Sequence, residues 1–104
     1  MSLTLINLFT VPEEEADGFA ARFKAIAERF ADAPGFGGTE LHRNAGVGDP
    51  TYSFVNIAKW ESAEAWRAAL PRIISAAGGA SLGVVPTAAL YQSVFQIPAA
   101  AGEA

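Results

Sequence analysis

Two rhythms of apolar residues divide this chain, one returning at every second position and one at every third or fourth. Residues 3–10, LTLINLFT, alternate loosely and are dense in Leu, Ile and Phe, which predicts a strand nearly buried on both faces. Ala16, Phe19, Ala20, Phe23, Ile26, Ala27 and Phe30 then recur at helical spacing, with Arg22, Lys24, Glu28 and Arg29 opposite them. Pro12 suits the first helical position, and Glu13, Glu14 and Glu15 suit the positive end of the helix dipole. A helix is therefore expected over residues 13–32, stopped by Pro34 and Gly35. Residues 36–44, FGGTELHRN, predict a second strand whose start is softened by glycines. AGVGDP supplies a turn, and residues 51–60, TYSFVNIAKW, a third strand pairing with the second as a hairpin. Ser62 is a good N-cap for a second helix, AEAWRAAL, which Pro71 interrupts before a further turn through RIISAA. GGASLGVVP reads as a glycine-rich loop, and residues 87–97, TAALYQSVFQI, as the last strand. The tail PAAAGEA has too little to bury and is expected to fray.

The order β-α-β-β-α-β predicts an α+β fold of the ferredoxin-like kind, a four-stranded antiparallel sheet with both helices on one face. The reading is a single domain over residues 1–97 with a flexible tail over 98–104. The third strand offers apolar groups to both faces: Tyr52, Phe54, Ala58 and Trp60 to one, Val55 and Ile57 to the other. The face without helices needs a cover. A second copy of the sheet is the economical one, giving a homodimer closed into an α+β barrel.

Composition sharpens this. Hydrophobic residues make up 51% and charged residues 17%, more apolar surface than one small core needs, so an interface or an apolar pocket should take up the excess. The net charge of −4 and the lack of a basic run exclude nucleic acid as an expected partner. The chain has no cysteine, so disulfides and thiolate metal sites are out. The start, MSLTLINLFTV, does not read as a signal peptide, and no apolar run reaches membrane-spanning length. A cytoplasmic protein with no membrane partner is expected.

A few residues stand out for chemistry. Asn56 is a carboxamide inside an apolar strand, on the same parity as Tyr52, Phe54 and Trp60. Left without partners in a core it would cost about 1–3 kcal/mol. It either satisfies a local irregularity or points into a pocket and holds a ligand oxygen. Asn7, between Ile6 and Leu8, poses the same question on a strand that should neighbour the third, so the two amides either satisfy each other or both face a ligand. Trp60 and Trp66 are core residues or the walls of a site for a flat aromatic ligand. His42, the only histidine, is the natural proton acceptor near neutral pH, and on the second strand it shares parity with Glu40 and Asn44. No metal is expected, because no His, Asp or Glu cluster has ligand spacing. GGASLG lacks the lysine of a phosphate loop.

APGFGGTELHR after the first helix and FVNIAKWESAEAW across the third strand resemble the antibiotic biosynthesis monooxygenase family, and the likeness extends over residues 3–97. The resemblance implies a dimeric α+β barrel. Its sharper form is to the quinone-forming monooxygenases of aromatic polyketide biosynthesis, which oxidise anthrone-type phenols with O2 and need no metal, flavin or haem. It implies Asn56, Trp60 and His42 as catalytic residues with Trp66 beside a small aromatic substrate; Asn7, Phe54 and Tyr52, by their strand positions, are expected to join Trp66 around it. Trp66 stands where that branch commonly has tyrosine, and residues 75–85 carry no charge where it has an arginine. The haem-degrading branch shares an asparagine at Asn7, but its proximal histidine lies beyond the second helix, where this chain reads ISAAGGASLG. Three classes follow: a cofactor-independent monooxygenase, a non-catalytic ligand-binding or structural dimer, and, disfavoured by the missing histidine, a haem protein.

Overall fold

The computed structural model describes residues 2–78 and 87–100. The strands are β1 (Leu3–Phe9), β2 (Phe36–Arg43), β3 (Phe54–Trp60) and β4 (Thr87–Tyr91), and the helices are α1 (Ala16–Arg29) and α2 (Ala63–Ala76). The sheet runs β2-β3-β1-β4 with every neighbouring pair antiparallel, which is the ferredoxin-like arrangement. Most of the glycine-rich loop, residues 79–86, and the last four residues of the tail lie outside the described residues.

Elements begin and end where partners do. The acidic triplet Glu13–Glu15 forms a 3-10 turn that leads into α1, so the helix expected from residue 13 is a tighter turn followed by 14 residues of α-helix. Strand β3 starts at Phe54, not at Thr51, because the Ser53 hydroxyl accepts from Val11 N–H and donates to Val11 O, fixing the chain outside the ladder. Strand β4 stops at Tyr91, well short of residue 97. It runs antiparallel to β1 along the sheet edge, Tyr91 faces Thr4, and β1 has almost no residues left to pair beyond it. Helix α2 continues through Pro71 rather than breaking there. The proline removes one backbone hydrogen bond, while Ala69 before it and Ile73 after it keep the same stripe on the core.

The helix face of the sheet carries two apolar clusters. Phe9 and Phe54, cross-strand partners, pack on Phe19 of α1 with ring centroids 5.0 and 4.9 Å away. Further along the strands, Leu5, Ala58 and Trp60 pack with Phe30, Ala33 and Ala69. Trp60, Phe19 and Phe54 are the largest fully buried side chains. Ser62 caps α2 as expected, its hydroxyl accepting from Ala65 N–H at 3.1 Å. Arg72 of α2 pairs with Asp32 just past α1 and, by hydrogen bond and charge, holds that carboxyl below its usual range. The folded-state pKa is lowered, so this tie is present at neutral pH and is lost as pH falls through it. Both partners are exposed, which keeps its effect small.

One turn has no slack. Gly35 adopts φ +81° between α1 and β2, and an added Cβ would sit 2.6 Å from the Ala65 Cβ of α2. Gly35 also accepts from Glu61 N–H at 2.8 Å, which fixes the turn against the end of β3. Gly35→Ala combines a left-handed backbone with a clash that no flexible side chain can relieve. It should destabilise the fold by about 2 kcal/mol or more, read as a lowered midpoint in urea unfolding.

Candidate functional site

Strand β2 is not regular. Phe36 pairs with Trp60 and Thr39 with Ala58, so three steps on β2 match two on β3. The extra residue is a bulge, and Gly38 within it has φ +104°, a conformation that favours glycine. Without the bulge, alternation would put Glu40 and His42 on the face of Phe36. With it, Thr39, Leu41 and Arg43 join Phe36 on the helix face, opposite Ala58, Asn56 and Phe54.

The bulge decides which of the expected residues meet. Asn56 is on the helix face and is 4% exposed, the one buried polar residue among those described. It stands between the two apolar clusters, directly across from Asn7 on β1. Its Nδ2 donates to Asn7 Oδ1 at 2.8 Å, and its Oδ1 accepts from the Thr39 hydroxyl. The two amides therefore satisfy each other, and a third residue completes the line. Thr39 was not singled out in the sequence. The glycine pair before it, an interruption of strand pattern, is the signal that marks it.

A cavity of about 360 Å³ lies between α1 and the helix face of β2. Small side chains, Ala20 and Ala27 on α1 and Ala31 just past its end, leave the space, and Phe23, Phe36 and Leu41 give it apolar walls. Thr39 is in its lining and connects it to the buried Asn56. Lys24 and Glu28 also line it and pair with each other across 3.9 Å, both well exposed. The volume and the mostly apolar lining suit a small flat molecule, with a hydroxyl and a carboxamide behind it as the polar pole.

The other expected site residues fall elsewhere. Trp60 is 1% exposed and packs tilted against Phe36, with ring centroids 5.0 Å apart, so it backs a cleft wall without lining the cleft. Its Nε1 is buried with no hydrogen-bond partner. Trp66 on α2 is partly buried and packs against the same cluster as Trp60. Phe54 belongs to the other cluster, with the Arg43 guanidinium 5.9 Å from its ring centroid. Tyr52 precedes the strand, is 38% exposed and does not join the Phe54 face. His42 is on the open face of the sheet, opposite in sense to Asn56, and its Nε2 lies 3.0 Å from Glu40 Oε1. It cannot reach this cleft. Among the described residues there is no cluster of three or more potential metal-ligating His, Cys, Asp or Glu, and no helix is long and apolar enough to cross a membrane.

Comparison with known proteins bears on the family and the fold. A family model described as antibiotic biosynthesis monooxygenase matches residues 2–71. No curated protein sequence matches the chain. Among solved structures, SnoaB from Streptomyces nogalater, a cofactor-independent oxygenase, was crystallised with one asparagine changed to alanine. That variant is 30% identical over 94% of this chain and 98% of its own, with a TM-score of 0.74. Unmutated SnoaB is 29% identical over the same shares, with a TM-score of 0.71. The haem degrader MhuD from Mycobacterium tuberculosis, solved with two haems in its active site, is 25% identical over 92% of this chain and 99% of its own, with a TM-score of 0.71.

Proposed function

Because the chain belongs to the antibiotic biosynthesis monooxygenase family, we propose that it oxidises an anthrone-type phenol to a quinone with O2 in the cleft between α1 and β2, without a cofactor. The observation that carries this is the buried Asn56 carboxamide, held between Thr39 and Asn7 behind an apolar cleft. The likeness to SnoaB supports it.

The chemistry asks little of the protein. An anthrone loses a proton from its ring methylene and becomes an extended phenolate-enolate, which can reduce O2 directly. A C–O bond forms at that carbon, giving a hydroperoxide. Loss of water across its O–O bond leaves a carbonyl. The methylene carbon has then lost four electrons and O2 has gained them, one oxygen ending in the quinone and one in water. The protein contributes a dry apolar slot and donors aimed at the oxyanion that develops on deprotonation. The Thr39 hydroxyl, in the cleft lining and backed by Asn56, is the donor the slot offers. With His42 on the other face, the proton leaves to water at the exposed mouth.

Oxygen uptake with a dihydroxyanthrone tests the reading. Asn56→Ala should lower turnover by about tenfold or more, because it removes the partner that holds the Thr39 hydroxyl at the cleft, with a melting check to show that the fold persists. Unchanged turnover would sink the proposal. The competing reading, a binding dimer without chemistry, draws on Trp66, which packs into the core cluster instead of standing open as a wall; it predicts anthrone binding with no oxygen uptake. A haem site is disfavoured by the position of His42, since the chain's one histidine faces away from the cleft. An unchanged Soret band on adding haem would confirm that.

The active form is proposed to be a homodimer. The open face presents Ile6 and Leu8 of β1 beside Ile57 and Val55 of β3, all part-exposed, on the two central strands. Past β4, Val94, Phe95 and Ile97 are 91%, 75% and 80% exposed. A second copy would cover this surface.

A further inference from the structure

We infer that the Thr39 hydroxyl is the group that binds the ligand oxygen in the cleft, and that it does so by turning its single proton from Asn56 to a bound phenolate. The inference rests on reading the cleft as a phenol site. It adds the residue that makes contact and the protonation state that the contact selects.

A hydroxyl has one proton to give and two lone pairs to accept with. The Thr39 proton goes to Asn56 Oδ1, and the Asn56 Nδ2 donates on to Asn7 Oδ1. The line of donors thus points from the cleft into the sheet. Thr39 belongs to the lining of the cavity, whereas Asn56 is 4% exposed behind it. The remaining polar side chains of the lining, Lys24 and Glu28, stand on α1, are 80% and 67% exposed, and pair with each other. On the sheet side of the cleft, Thr39 is the polar side chain a ligand meets.

A neutral phenol can extend this line unchanged. Its O–H donates to Thr39 Oγ1, Thr39 keeps its bond to Asn56, and all donors run in one direction, each polarising the next. A phenolate cannot donate. To hold it, Thr39 must rotate its proton outward, which forms a charge-assisted hydrogen bond and leaves Asn56 Oδ1 without that donor. Only the proton moves; the stiff β-branched side chain keeps Oγ1 in place. The bulge at Gly37 and Gly38 is what aims this hydroxyl, since an unbroken alternation would turn it to the open face.

Anaerobic titration separates binding from turnover. A dihydroxyanthrone would be titrated into the wild-type protein, Thr39→Val and Thr39→Ser under nitrogen, at pH values on both sides of its phenol pKa. The bound protonation state is read from its absorbance. Thr39→Val keeps the shape and loses the hydroxyl, so phenolate binding should weaken by about tenfold or more. The bound phenol should titrate at a higher pH than in the wild-type protein. Thr39→Ser should restore both. A residue with only a structural role would weaken both protonation states alike and leave the bound pKa where it was. Equal phenolate binding by wild type and Thr39→Val would overturn the inference and leave the oxygenase reading standing on Asn56. Absence of any phenol binding by the wild-type protein would remove both.

Discussion

Trp60→Ala should cost about 3–5 kcal/mol of folding stability, the range for deleting a large buried aromatic ring. That is a large share of the roughly 5–15 kcal/mol typical of a whole domain, so the variant should be partly unfolded without ligand at physiological temperature. Urea unfolding followed by far-UV circular dichroism measures it. The ring is 1% exposed, touches Phe36 at 5.0 Å and sits in the cluster formed by both helices and the two central strands. No neighbour can collapse into the space without moving one of those elements. A loss below about 1 kcal/mol would mean that this ring is not the centre of that cluster.

Trp60→Phe divides the two roles the tryptophan can have. It removes the Nε1–H, buried here without a partner, and keeps an aromatic ring. An unsatisfied buried donor is itself unfavourable by about 1–3 kcal/mol, so its removal offsets part of the lost volume. The stability change should therefore be much smaller than for alanine. If turnover of the anthrone also survives, Trp60 is a packing residue that sets the position of Phe36 at the cleft wall. If turnover falls while stability holds, the indole sets the position of Phe36 at the cleft wall in a way that a smaller ring does not reproduce.

The fold was largely legible because each element announces its own period. The stripe from Ala16 to Phe30 can only be a helix with one buried face, and Ser62 marks the start of the second helix by its side chain alone. Where the expectations failed, the missing information was a partner. Residues 92–97 look like strand, yet a strand needs a neighbour, and β1 runs out at that point. Pro71 looks like a stop, yet one lost backbone bond is outweighed when the next turn still packs through Ile73.

The candidate site was legible in part for the same reason. That Asn7 and Asn56 meet follows from strand order. Their third partner does not, because the side on which β2 presents each residue depends on one extra residue at Gly37 and Gly38. A slip of one position turns every later side chain over. That slip is the whole difference between a cleft lined by His42 and one lined by Thr39. Tyr52 shows the same limit. Its parity is right for the Phe54 face, but the ladder starts two residues later.

Ile57→Asp should convert the proposed dimer into a monomer. Ile57 faces Ile6 across the two central strands, with Leu8 and Val55 beside them, on the side of the sheet away from both helices. Around this patch lie Glu40, His42 and Lys59, the last donating to Thr4 at 2.9 Å. An apolar centre with a polar surround is the anatomy of a protein interface. A carboxylate placed in its middle loses water when a second sheet closes over it and gains no partner in return. The resulting penalty, several kcal/mol, should raise the dissociation constant by at least about a hundredfold. In the free protomer the same side chain stays part-exposed and hydrated, so the sheet itself should form. Sedimentation at micromolar concentration reads the result, and Lys59→Ala, at the edge of the patch, should remain dimeric. A wild-type protein that sediments as a monomer, or an Ile57→Asp variant that stays dimeric, would show that something other than a second copy covers this face. In that case the exposed Val94, Phe95 and Ile97 become the first place to look for the cover, because among the described residues they are large, strongly exposed apolar groups that follow β4 closely in sequence.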